Sequence, residues 1–178
     1  MDATIKTGIW QQFGAAIDYL AETMSACPDH LWRATLWNHP DEQPEFSQFW
    51  YRAFHTLFWL DLYLTGAEEG FVPPAPVVLI EQDDGWMLPE RAFTKDELQA
   101  YLQACRQKCR ATIEGLTDET AQRRCRFGWG EASFFELLLY NMRHVQDHAA
   151  QLNLFLGQNV GPMPDYVTQV ERESPEDV

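Results

Sequence analysis

The chain has 178 residues, of which 46% are hydrophobic and 13% aromatic, so it is long and apolar enough to form one globular domain. Its formal net charge of −14 would repel phosphates and anionic lipids, which argues against nucleic acid or a membrane surface as a partner. No apolar run approaches the ~18 residues of a membrane span, and the first residues do not resemble a signal peptide. We therefore expect a cytoplasmic protein.

Four segments repeat apolar residues at the spacing of an α-helix, and they cover about residues 9–27, 45–65, 94–116 and 133–156. Stop signals follow three of them, at Pro28, Gly66 and Gly157. The third and fourth begin with capping boxes, at Thr94 and Ser133, in which a glutamate follows three residues later. The sequence therefore predicts where most of these helices begin and end.

Four amphipathic helices of this length predict an all-α protein, a four-helix bundle that forms a single domain over residues 1–165. The connection between the second and third helices, residues 66–93, is much longer than the ~2–8 residues usual in bundles. We expect it to be a crossover that lets these two helices run parallel and lays Trp86 and Met87 over the bundle. Residues 166–178 end in an acidic stretch and are expected to form a flexible tail.

The second predicted helix is apolar on nearly every face, with bulky side chains such as Phe49, Phe54 and Leu57 pointing away from the expected core. A surface helix of a monomer normally has one polar face. We therefore expect the outer side of this helix to pack either on the crossover or on a second subunit, and a two-fold homodimer would supply that subunit.

Two histidines lie four residues apart in the fourth predicted helix, His144 and His148. Side chains at this spacing share a helix face, so both imidazoles can reach one metal ion at ~2.0–2.1 Å. They fall in the middle of the inward stripe of the helix, where a polar group needs a partner. His55, in the middle of the second helix between Tyr51 and Trp59, is the candidate third ligand. Three nitrogen ligands with an open position are typical of a catalytic rather than a structural metal site.

Other side chains around this trio are candidates for orienting the ligands or contacting a substrate: Asn141, Tyr51, Gln151, Asp147 and Trp59. Asn141 precedes His144 by one turn on the same inward stripe. Gln151 lies at the edge of that stripe. For Asp147, an ordinary hydrogen bond on the helix surface is the favoured interpretation.

The better-known metal motifs do not fit the chain. A zincin requires glutamate directly after the first histidine of the pair, and Val145 stands there. Di-iron bundles require glutamate three residues before each histidine, and Asn141 and Val145 occupy those positions. A metal-free bundle, in which the core histidines only make hydrogen bonds, remains an alternative.

Taken together, His55, the pair His144 and His148, and Gln151 resemble the DinB-like superfamily of four-helix metalloproteins. Residues 89–98 and 130–133, which open the third and fourth helices, share this resemblance, and it extends to about Pro164. The resemblance implies a bundle with a long crossover, frequent dimers, and a divalent metal held by the three histidines.

Members of that superfamily differ in the reactions they catalyse. Some members resemble S-transferases or isomerases that use low-molecular-weight thiols, others are amidases or hydrolases, and most have no assigned reaction. We therefore expect a metal-dependent enzyme, an S-transferase or a hydrolase, that acts on a small-molecule substrate by activating a thiol or water nucleophile. Zinc and nickel both suit imidazole ligands. The alternative is a non-catalytic, stress-related bundle that binds a metal or a small molecule.

Overall fold

The computed structural model describes residues 1–38, 40, 43–77 and 88–170. Four long helices form the bundle: α1 (Ala3–Ala26), α2 (Phe49–Thr65), α3 (Lys95–Glu114) and α5 (Phe134–Asn159). Between α3 and α5 lie a short helix and two strands: α4 (Asp118–Gln122), β1 (Arg124–Phe127) and β2 (Gly130–Ser133). The predicted all-α fold is confirmed. None of the helices in the described ranges is long and apolar enough to cross a membrane.

The helices pack in a ring, in which α1 and α2 each contact both α3 and α5. Phe54 near the start of α2 packs on Phe93 just before α3, with ring centroids 5.0 Å apart. Farther along both helices, the Lys108 ammonium lies 2.5 Å from the buried Asp61 carboxylate. Contacts that advance in the same direction mean that α2 and α3 run parallel, as a crossover connection requires.

The crossover also covers the outer side of α2. Phe71 in this connection packs edge-on against Phe58, with ring centroids 5.4 Å apart, and Phe93 covers Phe54. The apolar outer side of α2 predicted packing either on the crossover or on a second subunit, and packing on the crossover is present within one chain. Trp86 and Met87, which we expected over the bundle, lie outside the described residues.

The start of α2 differs from the sequence-based expectation. The helix begins at Phe49 rather than near Glu45, because residues Pro44–Ser47 form a 3-10 turn and Gln48 is extended. Gln48 forms an isolated β-bridge with Thr35, and this pairing interrupts helical geometry. The predicted stop is correct, since Gly66 ends α2 with a left-handed φ of 77° that other residues rarely adopt.

The chain beyond α5 folds back over the bundle. Gly157 does not end α5, which continues to Asn159; instead it leaves room for the side chain of Met163 to pass close by. Val170 is buried against Gly14 of α1, and its backbone N–H donates to the Gln11 carbonyl at 3.1 Å. Val170, within the expected tail, is therefore in contact with α1, while residues 171–178 lie outside the described part.

Candidate metal centre

The histidine cluster lies where α2 and α5 pack against each other. The α5 helix starts in a fixed place because Ser133 and Glu136 form the expected capping box, with the Ser133 N–H donating to the glutamate carboxylate at 2.8 Å. Two turns later the Asn141 amide donates to the Leu60 carbonyl of α2 at 3.0 Å. This bond joins α5 to α2 one turn before His144, in addition to the ring contacts between the same two helices.

Three imidazoles meet at this contact: His55 from α2, and His144 and His148 from α5. Their candidate ligand atoms all lie within 4.8 Å of one another. The Nε2 atoms of His55 and His144 are 3.3 Å apart. The ring centroids of His144 and His148 are 4.5 Å apart, and His55 lies 5.3 and 5.2 Å from them.

This donor set fits a divalent metal ion. Two nitrogens bound tetrahedrally at ~2.0–2.1 Å from one ion would be about 3.3 Å apart, which is the separation between His55 Nε2 and His144 Nε2. No candidate ligand atom of the trio lies more than 4.8 Å from another, so a shift of at most about 1.5 Å would bring all three nitrogens to the spacing of one bound ion. Without an ion, the short contact between His55 and His144 is that of two imidazoles sharing one N–H as a hydrogen bond.

A chain of hydrogen bonds orients the third imidazole. The Gln151 Oε1 atom lies 2.9 Å from His148 Nδ1, and an amide oxygen can only accept, so Nδ1 carries the proton. The Gln151 amide donates in turn to the Asp147 carboxylate at 2.9 Å. A neutral His148 with its proton on Nδ1 has its lone pair on Nε2. Such outer partners fix the tautomer and ring orientation of a metal-binding histidine.

Burial keeps all three imidazoles neutral at pH 7. It holds the pKa of His55 well below its ordinary value of 6.5, and the nearby His144 lowers it further. Burial lowers the pKa of His144 to about 3, with a smaller contribution from His148. The pKa of His148 is also lowered by burial, although the Gln151 hydrogen bond opposes the shift. Neutral imidazole is the protonation state that binds a metal, so binding at pH 7 would require only a change of tautomer in the His55–His144 pair.

Aromatic side chains line the cluster. Tyr51 and Trp59 flank His55 at centroid distances of 6.4 and 6.3 Å, as their spacing on the helix suggested. Asn141 has a different place from the one expected: its amide contacts the backbone of α2, and neither of its side-chain polar atoms forms a hydrogen bond with a histidine. The substrate or ligand-orienting roles assigned to these residues stay predictions.

Sequence reasoning missed two aromatic residues beside the cluster. Tyr63 lies 6.3 Å from His144 between ring centroids, and its hydroxyl accepts from the Trp129 indole N–H at 3.1 Å. Trp129 also stacks on Tyr140, with centroids 4.9 Å apart. Trp129 sits at the tip of the β1–β2 hairpin, which was not predicted. Tyr63 could have been found from its position, because it follows His55 and Trp59 on the same face of α2.

Comparisons with known proteins identify the family. A search of curated proteins finds no match for this chain. The family model of the DinB superfamily matches residues 12–152, a stretch that contains all three histidines. Because this match covers most of a chain whose fold is the expected helical bundle, the protein belongs to the DinB superfamily.

Proposed function

We propose that this protein is a divalent-metal-dependent enzyme in which His55, His144 and His148 hold the ion. One observation carries the proposal: three neutral imidazoles from two helices converge with their candidate ligand atoms within 4.8 Å of one another. Membership of the DinB superfamily supports it. Zinc and nickel are the ions proposed, because both accept imidazole nitrogen readily.

Three neutral ligands do not offset the double charge of the ion, which would therefore lower the pKa of a bound water to about 7 or hold a bound thiol as its thiolate. The chain's own residues prepare for that chemistry. Gln151 accepts the Nδ1 proton of His148, which keeps the Nε2 lone pair available, and Asp147 holds the Gln151 amide in place. The rings of Tyr51, Trp59 and Tyr63 limit the access of bulk water to the imidazoles.

The nucleophile would be either a low-molecular-weight thiol or water. A thiol would make the protein an S-transferase and water would make it a hydrolase, in both cases acting on a small-molecule substrate. A screen of purified protein with thiols plus electrophiles, and separately with amides and esters, would distinguish the two. Metal binding without turnover in either screen would favour the non-catalytic alternative.

The metal site itself is tested by metal analysis of protein purified without a nickel column. The variants are His144→Ala, which removes one candidate ligand, and His30→Ala, which removes an exposed histidine outside the cluster. We expect wild type and His30→Ala to carry the same stoichiometric zinc or nickel, and His144→Ala to lose most of it. Equal metal content in all three proteins would reject the site.

The homodimer is a separate proposal. The outer face of α2 is covered within the chain by the crossover, so burial of that face supplies no argument for a partner. Sedimentation at micromolar concentration tests the dimer directly, and a strict monomer would reject it.

A further inference from the structure

A cavity of about 320 Å³ lies along α5 just beyond the histidine cluster. Its walls are six side chains: Leu36, Trp37, Gln151, Leu154, Phe155 and Gln158. Sites for small molecules in proteins commonly have volumes of ~300–1,000 Å³ and mostly apolar walls with a few polar groups. The volume therefore suits a small organic group.

The cavity adjoins the candidate metal centre through one shared side chain, Gln151. His148, Gln151, Phe155 and Gln158 follow one another at helical spacing, so they form a single stripe along α5. Gln151 both lines the cavity and bonds to His148 Nδ1 at 2.9 Å. Phe155 lies seven residues beyond His148, which corresponds to about 10 Å along the helix axis. A molecule held at the histidines could therefore extend a chain of several atoms into the cavity.

The lining selects an uncharged, apolar occupant. Four of the six lining side chains are apolar, the other two are neutral amides, and none carries a charge. Leu154 is 58% exposed, so a leucine side chain borders the cavity while remaining open to solvent. The Trp37 ring is held against the guanidinium group of Arg52, whose carbon lies 4.7 Å from the ring centroid. This contact steadies one flat wall of the cavity.

We propose that this cavity binds the apolar tail of the substrate while its polar, metal-binding head lies at the histidines. The substrate class is therefore a small molecule with a reactive polar head and an unbranched alkyl or single-ring tail. This inference rests on the proposed function, because it places the head at the metal. Beyond the proposed function, it specifies the chemical class of the part of the substrate that does not react.

Hydroxamates test the proposal, since their head binds metal ions and their tail can be lengthened. Affinities of acetohydroxamate and hexanohydroxamate would be measured by calorimetry on cobalt-loaded protein, with cobalt content determined for every variant. A fully buried methylene strengthens binding roughly fourfold, so we expect the longer tail to bind at least tenfold more tightly. Leu154→Asp should abolish that ratio. Leu139→Asp, a matched change at another exposed leucine of α5, should keep it.

A second measurement does not need the metal. The metal-free protein would be titrated with 1-hexanol while the Trp37 indole N–H signal is followed by NMR, again beside Leu154→Asp. We expect a saturable shift in wild type that the substitution removes.

Equal affinities of the two hydroxamates would overturn the tail site while leaving the metal centre intact. If no ion binds at all, the proposed function fails and the hexanol titration decides: an unmoved Trp37 signal overturns the cavity too. The proposal is also overturned if Leu154→Asp converts a dimer to a monomer and wild type shows no gain from the longer tail, because the surface would then be a subunit interface.

Discussion

Replacing Gln151 by leucine would test whether the hydrogen-bond chain from Asp147 to His148 prepares the cluster for metal. Leucine has a similar size but neither accepts the Nδ1 proton of His148 nor donates to the Asp147 carboxylate, so the 2.9 Å bonds on both sides of the amide are lost. The imidazole of His148 is 11% exposed and would keep few routes to a replacement partner. Its proton would then be free to occupy Nε2, the nitrogen that the metal requires.

The loss of a partner of this kind typically weakens metal binding by ~10–100-fold. That factor corresponds to about 1.4–2.7 kcal/mol. The metal-free protein should lose less, about 1 kcal/mol of its free energy of unfolding, because the amide is partly exposed and water can replace some of its bonds. The expected signature is therefore a large change in metal affinity with a small change in stability.

Metal affinity would be measured by competition with a chromophoric chelator at pH 7.5, and stability by urea unfolding in the presence of EDTA. Gln158→Leu is the matched control, since it makes the same change on the same stripe of α5 two turns farther from the histidines. Gln151→Glu retains an acceptor for the Nδ1 proton but loses the donor to Asp147, so it should recover only part of the affinity. If Gln151→Leu and Gln158→Leu bind metal equally well, the orienting role of Gln151 is refuted.

Three further predictions concern the pH dependence of stability, the packing of two glycines, and the effect of Asn141 on metal affinity. The pKa of His144 is lowered to about 3 in the folded protein, so the unfolded chain takes up its proton first as the pH falls below about 6.5; the stabilising contribution is lost from there down to about pH 3. In urea unfolding with EDTA, wild type should therefore lose up to about 2 kcal/mol more than His144→Gln between pH 7 and pH 5, and parallel losses would contradict the shift. Gly8→Ala should stabilise α1 by about 0.5–1 kcal/mol, because nothing lies within 4 Å of the new methyl group. In Gly14→Ala the methyl group would collide with Val170, so residues 160–170 should become sensitive to limited proteolysis. Equal digestion of the two variants would argue against the packing of Val170 on Gly14. Asn141→Leu should change metal affinity less than about threefold, because the Asn141 amide contacts the Leu60 carbonyl rather than a histidine. Loss of a ligand-orienting residue typically costs ~10–100-fold. A loss of that size, measured by the same chelator competition, would show that Asn141 does orient a ligand.

The long helices and the convergence of the histidines could be read from the sequence because both depend on strong local patterns. The capping boxes at Thr94 and Ser133 put the starts of α3 and α5 within one residue of their observed positions. Residues four apart on a buried stripe must point the same way, so the spacing alone was enough to pair His144 with His148. The meeting with His55 needed one more assumption, that two apolar stripes pack against each other.

Shorter elements gave no comparable signal. The strands β1 and β2 have four residues each, too few for an alternating pattern to stand out, so the hairpin that carries Trp129 was missed. The extended conformation of Gln48 depends on its bridge partner Thr35. Because Thr35 lies outside the second predicted helix, the residues around Gln48 gave no sign of this pairing. Gly157 was misread for a similar reason: it accommodates Met163, a neighbour that arrives only when the chain folds back.

The distribution of the three histidines along the chain also sets the order in which the cluster can be built during synthesis. His55 is made early and enters α2, whereas His144 and His148 belong to α5, the last helix of the bundle. A nascent chain that ends before α5 contains only one of the three clustered histidines, His55. The proposed three-histidine site can therefore be complete only after the final helix has emerged from the ribosome and docked on α2.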